Sequence, residues 1–446
     1  MLKLLTSTTF IAGTALCSVA FADGHSDGPY APYKGTTLVV NFPSHPHYNA
    51  VLEVIPEFTA QTGIEVEVDM LPYLDMRERQ TLELSLDEGA YDMIAYVVFS
   101  KADYVYADQI YNLAPFFMNP RLADPNYDAA DLIDGYVQNI GVAGGEKGYL
   151  PGATGSLYGL PFGSETSVMY YRTDVFEELG LEPATDYTTL LEQACAIPAA
   201  KPGMGGVASR AASGHQASHA FLLHLAPLGG RIFDATWNPT INSAEGVAAA
   251  QALKTIVDCG PEGSSAFGPS EAANAFAQGQ AAMFIDSIAF AAGFEDESRS
   301  KVAGNVGWAA HPAGVRAASQ TGGFGIAIPR NAENPEAAFL FAQWLTSKEG
   351  DLAVAMAGGN PSRFSTYQNA ELNAKYPWSA TFGQALENAD PDWRPIIPPW
   401  GRINADIGTT MSQVLTEDLD IQEALDGVAE RTRTLMEQEG YYVWQK

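Results

Sequence analysis

His215 and His219, in the run His215-Gln216-Ala217-Ser218-His219, stand four residues apart and so share one face of a helix, the spacing of a zinc-protease pair. The position that would supply the general base holds Gln216, an amide that cannot take up a proton, so that hydrolysis lacks its base. Plain metal binding would need His224 or a carboxylate as a third ligand. No resident metal or other cofactor is expected. The 53 acidic residues supply carboxylate pairs at almost any spacing, so their abundance points to no glycoside hydrolysis. The chain carries neither a Gly-rich phosphate loop nor a Ser nucleophile elbow. What remains is recognition chemistry: rings that stack, and imidazoles and carboxylates that hydrogen-bond.

The elements that must position these groups alternate. Thr36 to Asn41 is a short β-branched run ending in the loop Phe42 to Tyr48. Val51, Leu52, Ile55, Phe58 and Thr62 recur at helical spacing until Gly63 stops the helix. Ile64, Val66, Val68 and Met70 alternate with acidic residues as in a half-buried strand. A helix over 77–88 leads to a third strand over 92–98. This β-α-β-α-β order predicts an α/β fold with a mostly parallel sheet under covering helices. Further on, 246–257 and 271–278 read as Ala-rich helices. Asn334-Pro335 reads as a helix start with Asn as cap, and 420–439 as a last amphipathic helix with Leu425, Val428, Thr432 and Leu435 inward. No low-complexity linker separates domains, which suggests lobes joined by short crossovers.

The first residues set the compartment. Lys3, the apolar run Leu4 to Val19 and Ala20-Phe21-Ala22 have the pattern of a secretory leader cleaved after Ala22. Leu16 stands before Cys17 where a lipobox requires a small residue, so cleavage rather than lipid anchoring is expected. Residues 1–22 are therefore read as a signal peptide and the mature chain as a periplasmic protein. Its loss leaves 424 of the 446 residues, room for two or three domains, and takes the formal charge from −29 to −30. So acidic a surface repels nucleic acid and anionic lipid. Cys195 and Cys259 are the remaining thiols; an oxidising compartment permits a bridge, but the sequence supplies no distance and leaves it open.

From about Thr36 onward the chain resembles the bacterial extracellular solute-binding proteins of the maltose-binding type, most of all the branch for sugar alcohols and monosaccharides. The resemblance rests on five stretches in family order. They are Ala60-Gln61-Thr62-Gly63-Ile64-Glu65-Val66; Leu157-Tyr158-Gly159-Leu160-Pro161 with Tyr170-Tyr171-Arg172-Thr173-Asp174; and Ala275 to Met283 with Asp286. Gly322 to Pro329 with Trp344-Leu345-Thr346-Ser347, and Arg394-Pro395-Ile396-Ile397-Pro398-Pro399-Trp400, complete it. Arg172 departs from the usual Asn, and Gly268-Pro269 stands where an aromatic is common, which bears on the ligand. The resemblance implies a two-lobed periplasmic-binding-protein fold with a hinge of about three crossovers, near Tyr170, Asp286 and Gly322, and an interlobe ligand cleft. The N-terminal lobe is expected over 23–165 plus 287–325, and the C-terminal lobe over 166–286 plus 326–446.

The implied function is the binding component of an ABC importer, a monomer that presents a neutral sugar or polyol, unaltered, to permease subunits in the inner membrane. Such a ligand needs flat apolar partners for its C–H faces and a hydrogen-bond partner for each buried hydroxyl. Loops at the carboxyl ends of parallel strands are where these groups converge. His45 in the first loop and Tyr96 in the third strand are candidates from position. Glu165 and Trp400 match cleft positions of the family; Asp286 ends a strand; Trp237 precedes a turn; His215 follows the loop after Arg210; and Arg363 lies in Asn360-Pro361-Ser362-Arg363. Few basic residues match cleft positions, which favours a neutral ligand, although Arg210, Arg363 and Arg402 leave an acidic one open. A cationic ligand such as a polyamine, or a secreted carbohydrate-active enzyme, is the alternative.

Overall fold

The computed structural model describes residues 28–144, 155–417 and 419–442. The expected leader, 1–22, lies outside the described residues. The strands in chain order are β1 (Thr37–Pro43), β2 (Glu65–Leu71), β3 (Met93–Val97), the short pair β4 (Val142–Ala143) and β5 (Ser156–Leu157), β6 (Leu160–Glu165), β7 (Ser167–Arg172), β8 (Gly205–Ala208), β9 (Ala281–Ser287), β10 (Val306–Ala310) and β11 (Gly322–Ala327).

They form two main sheets, and the chain is a two-lobed α/β protein. One sheet runs β2-β1-β3-β11-β6 and the other β10-β7-β9-β8. β1 pairs in parallel with β2 and β3, as the alternation of strands and helices dictates. The mostly parallel expectation holds only there: β11 runs antiparallel to β3 and β6, and β7 antiparallel to β9 and β10. Pairing with β11 is set by where the chain re-enters the sheet, which local periodicity cannot report.

The helix Pro46–Thr62 starts with Pro46 in its first turn and ends on Gly63 at φ 73°. The helix Pro335–Leu345 opens on Pro335, but Asn334 makes no side-chain cap; its backbone N–H donates to Asp92 Oδ1 at 2.7 Å instead. In the helix Ile421–Gln438 Met436, not Leu435, takes the innermost position.

Two expected boundaries fall elsewhere. The chain passes from the first sheet to the second between Glu165 and Ser167, but it stays with the second sheet after Asp286, because β10 pairs with β7. The return comes between Ala310 and Gly322, so 306–310 belongs with the second sheet and not the first. Conversely, Ala337 to Leu345 pack with Leu38, Val40 and Phe42 over the first sheet. Hydrophobic burial, rather than chain order, sorts these segments. These two crossings lie side by side, stitched by Thr166 Oγ1 donating to Ser319 Oγ (2.6 Å) and by Gln320 N–H donating to Ser167 Oγ (3.2 Å). A third passage follows Arg363, since Trp400, Ile403 and Leu425 pack in the core of the second lobe.

Cys195 and Cys259 form a disulfide with Cα atoms 5.1 Å apart, joining the middle of the helix Tyr187–Ala200 to the end of the helix Ala244–Asp258. Among the described residues no helix is long and apolar enough to cross a membrane.

Candidate functional site

The carboxyl ends of β1, β2 and β3 build one wall. His45 caps the helix Pro46–Thr62, with its Nδ1 accepting from the backbone N–H of His47 at 3.3 Å. Its Nε2 lies 3.1 Å from Glu165 Oε1, at the end of β6. The other Glu165 oxygen accepts from Ser287 Oγ at 2.6 Å, at the end of β9 in the second sheet. One carboxylate thus links the two lobes. Burial raises the Glu165 pKa, but the His45 contact, the Ser287 hydrogen bond and the Arg210 charge outweigh it and hold the group below the usual carboxylate range. Beyond β2 and β3, the Arg77 guanidinium stands 5.3 Å from the Phe99 ring centre and 5.9 Å from that of Tyr73.

The opposite wall comes from β8, β9 and the segments behind them. β8 and β9 are parallel, so Arg210, just past β8, meets Asp286 near the end of β9. Arg210 Nε and Nη2 donate to the two Asp286 oxygens at 2.6 Å each, and Nη1 donates to Gln216 at 3.2 Å. Asp286 is fully buried, Arg210 nearly so. The helix His215–Leu225 begins beside them, and Asn404 Nδ2 lies 3.1 Å from His215 Nδ1. One turn on, Arg394 Nη2 donates to His219 Nδ1 at 2.9 Å. Arg394 lies against the Trp393 ring (4.0 Å) and reaches to 6.0 Å from Phe99 of the facing wall. Desolvation by the surrounding walls, then the Arg394 and Arg210 charges, push His215 down to about 3. Burial and the same two guanidiniums hold His219 well below its ordinary value, so both imidazoles are neutral at pH 7.

Of the expected site residues, His45, Glu165, His215 and Asp286 come together at this cleft. Four do not. Tyr96 is wholly buried where the lobes meet, its hydroxyl spent on the Ile140 carbonyl at 2.7 Å. Trp237, at φ 64°, packs on Phe233 and Tyr441. Arg363 is buried and donates to the carbonyls of Thr346, Asp128 and Tyr127, fixing a loop. Trp400 is 3% exposed and belongs to the core of the second lobe.

Sequence reasoning missed Arg77, Phe99, His219, Asn404 and Arg394 as cleft residues. It also underweighted basic residues, since Arg77, Arg210 and Arg394 converge. The signal was present in Arg394-Pro395, but the emphasis fell on the indole six residues later. A small open crevice lies just past β9, with Ile288, Ala289, Asn360, Tyr376 and Trp378 on its walls. The polar convergence lies in the cleft and not in this crevice, so the cleft is the candidate site.

Two lobes joined by adjacent crossings, with polar groups converging from both, define a binding protein that holds a small ligand between its halves. Residues 43–352 match the bacterial extracellular solute-binding protein family, and the chain belongs to it. It is 28% identical over 390 residues to the mannitol-binding protein of Pseudomonas aeruginosa, covering 82% of this chain and 85% of that one. Its fold is similar to a solute-binding protein of Agrobacterium radiobacter in complex with ribitol (TM-score 0.78, 24% identity, 90% of this chain and 99% of that). One of Agrobacterium vitis with bound D-mannitol is similar too (TM-score 0.75, 25% identity, 91% and 99%).

Proposed function

We propose that this chain is the extracytoplasmic binding component of an ABC importer, which captures a neutral sugar or polyol between its lobes and hands it on unaltered to permease subunits in the inner membrane. The mature form is a periplasmic monomer freed of residues 1–22. Its N-terminal lobe comprises 28–144, 155–165 and 322–363, and its C-terminal lobe 167–310, 379–417 and 419–442. Ligand contacts come from His45, Glu165 and His215, with Asp286 fixing Arg210 among them. The observation that carries this reading is the convergence of hydrogen-bonding groups from both lobes around the Glu165 bridge. A ligand touching both walls stabilises the closed arrangement by its contacts to each. The relatives' polyol ligands give the same direction. A polyamine fits poorly, because Arg77, Arg210 and Arg394 repel a cation.

The test is a thermal-shift screen with mannitol, ribitol, erythritol, monosaccharides and polyamines, followed by calorimetry and small-angle scattering. A sugar or polyol should raise the melting temperature at micromolar concentration and shrink the radius of gyration. Recovery of the ligand unchanged by NMR separates binding from catalysis. Response to polyamines alone, or conversion of the ligand, would overturn the proposal.

A further inference from the structure

Arg394 is 5% exposed, and among the described residues no carboxylate lies within ion-pair distance of it. Its polar neighbour is the neutral His219, and its flat faces meet the rings of Trp393 and Phe99. Burial and the Arg210 charge lower its pKa to about 9, which leaves it cationic at neutral pH. A buried cation without an anion is costly, and the cleft around it is already rich in positive charge: Arg77 lies on the facing wall, and only Arg210 has a full counter-charge in Asp286.

The hydrogen-bond polarity of the cluster is one-sided. Arginine can only donate, so His219 must accept through Nδ1 and carry its proton on Nε2. That Nε2 turns away from Arg394 and stands 4.0 Å from Asp286 Oδ1, while Arg394 Nε is buried without a hydrogen-bond partner. At His215 the Asn404 amide donates to Nδ1, again leaving Nε2 to carry the proton. Donors therefore predominate: Asp286 is engaged by Arg210 and Glu165 by His45 and Ser287, and the buried Tyr73 hydroxyl near Arg394, without a hydrogen-bond partner, can donate as well as accept. A hydroxyl needs an acceptor for its own proton as well as a donor. A carboxylate is acceptor-only and matches the buried Arg394 donor, with guanidinium geometry suited to it.

We infer that the cleft also takes the acid counterparts of sugars and polyols, aldonates or uronates, and seats their carboxylate on Arg394 through Nε–H, with His219 holding the guanidinium in place through Nδ1. This rests on the reading of the cleft as the ligand site. It goes beyond a neutral ligand by giving the site a charged end and a direction: the carboxylate lies toward Arg394 and the hydroxyl-bearing chain runs toward Glu165.

The test is calorimetry of the mature protein with matched pairs: gluconate against sorbitol, mannonate against mannitol, galacturonate against galactose. At least one acid should bind about tenfold or more tightly than its neutral partner, and its affinity should fall as salt is raised, while that of the neutral partner holds. In Arg394→Gln the acid should be weakened at least about thirtyfold more than the neutral partner; His219→Phe should narrow the same ratio if the arginine variant does not fold. Binding of a neutral member with no acid bound overturns this inference and leaves the proposed function standing. So does an acid preference that survives both substitutions. Closure with no member of any pair, neutral or acidic, would remove both.

Discussion

At the scale of single residues, neither Asp286 nor Trp400 takes the ligand-contact role that its sequence position suggested. Both oxygens of Asp286 are taken by Arg210, so it acts by holding a guanidinium at the cleft rather than by meeting a ligand. Asp286→Asn leaves a nearly buried cation half-paired, which should cost about 3 kcal/mol in urea unfolding and weaken ligand at least about tenfold by calorimetry. Full affinity in that variant would mean that Arg210 does not contribute. Trp400 sits in the apolar core of the second lobe. Trp400→Ala should cost about 3–5 kcal/mol of stability. If the variant kept its stability and lost only affinity, the indole would belong to the site after all. Which strand ends bear His45, Glu165 and Asp286 was legible in the sequence. The burial of Tyr96 and Arg363 was not, because a tyrosine in a strand or an arginine in a loop reads the same whether it faces a cleft or a core.

At the scale of elements, the sheet crossing is the sensitive place. Gly323 stands at φ 91° in the irregular β11–β6 pairing, and an added Cβ would come within 2.1 Å of the Gly163 carbonyl oxygen. Backbone, not a flexible side chain, would have to move. Gly323→Ala should therefore destabilise the protein by more than about 1 kcal/mol, with amide exchange faster first in β6 and β11. Uniform exchange across both lobes would argue against a local crossing effect. The Cys195–Cys259 bridge closes a loop of sequence separation 64. Reduction, or Cys259→Ser, should lower stability by about 2–4 kcal/mol, read as a lower melting temperature with dithiothreitol. An unchanged melting temperature would mean that the two helices are held by packing alone.

For the molecule as a whole, the buried histidines set the acid limb of stability. Burial pushes His47 and His224 from 6.5 down to about 3 and His311 to about 4, and holds His219 well below as well. The unfolded chain takes up these protons as pH falls through 6.5, while the folded chain does not. Stability from these groups is complete above pH 6.5 and is lost as pH drops toward 3–4. Asp351 opposes this, since burial lifts it from 3.8 to about 6 and favours the fold as pH falls through that interval. The depressed imidazoles, His215 among them, outweigh Asp351 and Asp103, the latter also raised by burial. The melting temperature should fall steadily from pH 6.5 to 5, and Asp351→Asn should steepen the fall; a flat profile would show that the imidazoles find water or partners on protonation.

By itself the sequence determined the alternation of strands and helices, the two-lobed class and the strand ends that carry polar groups. The alternation and the strand ends follow from the period of apolar residues and from local turn chemistry, both carried along the chain, and the two-lobed class from the resemblance to the solute-binding family. Only the tertiary structure decided that β10 joins the second sheet, that Cys195 meets Cys259, and that Arg77, Arg210 and Arg394 crowd one cleft. Such outcomes depend on which distant surfaces bury each other, and no local periodicity encodes the distance between residues 77 and 394.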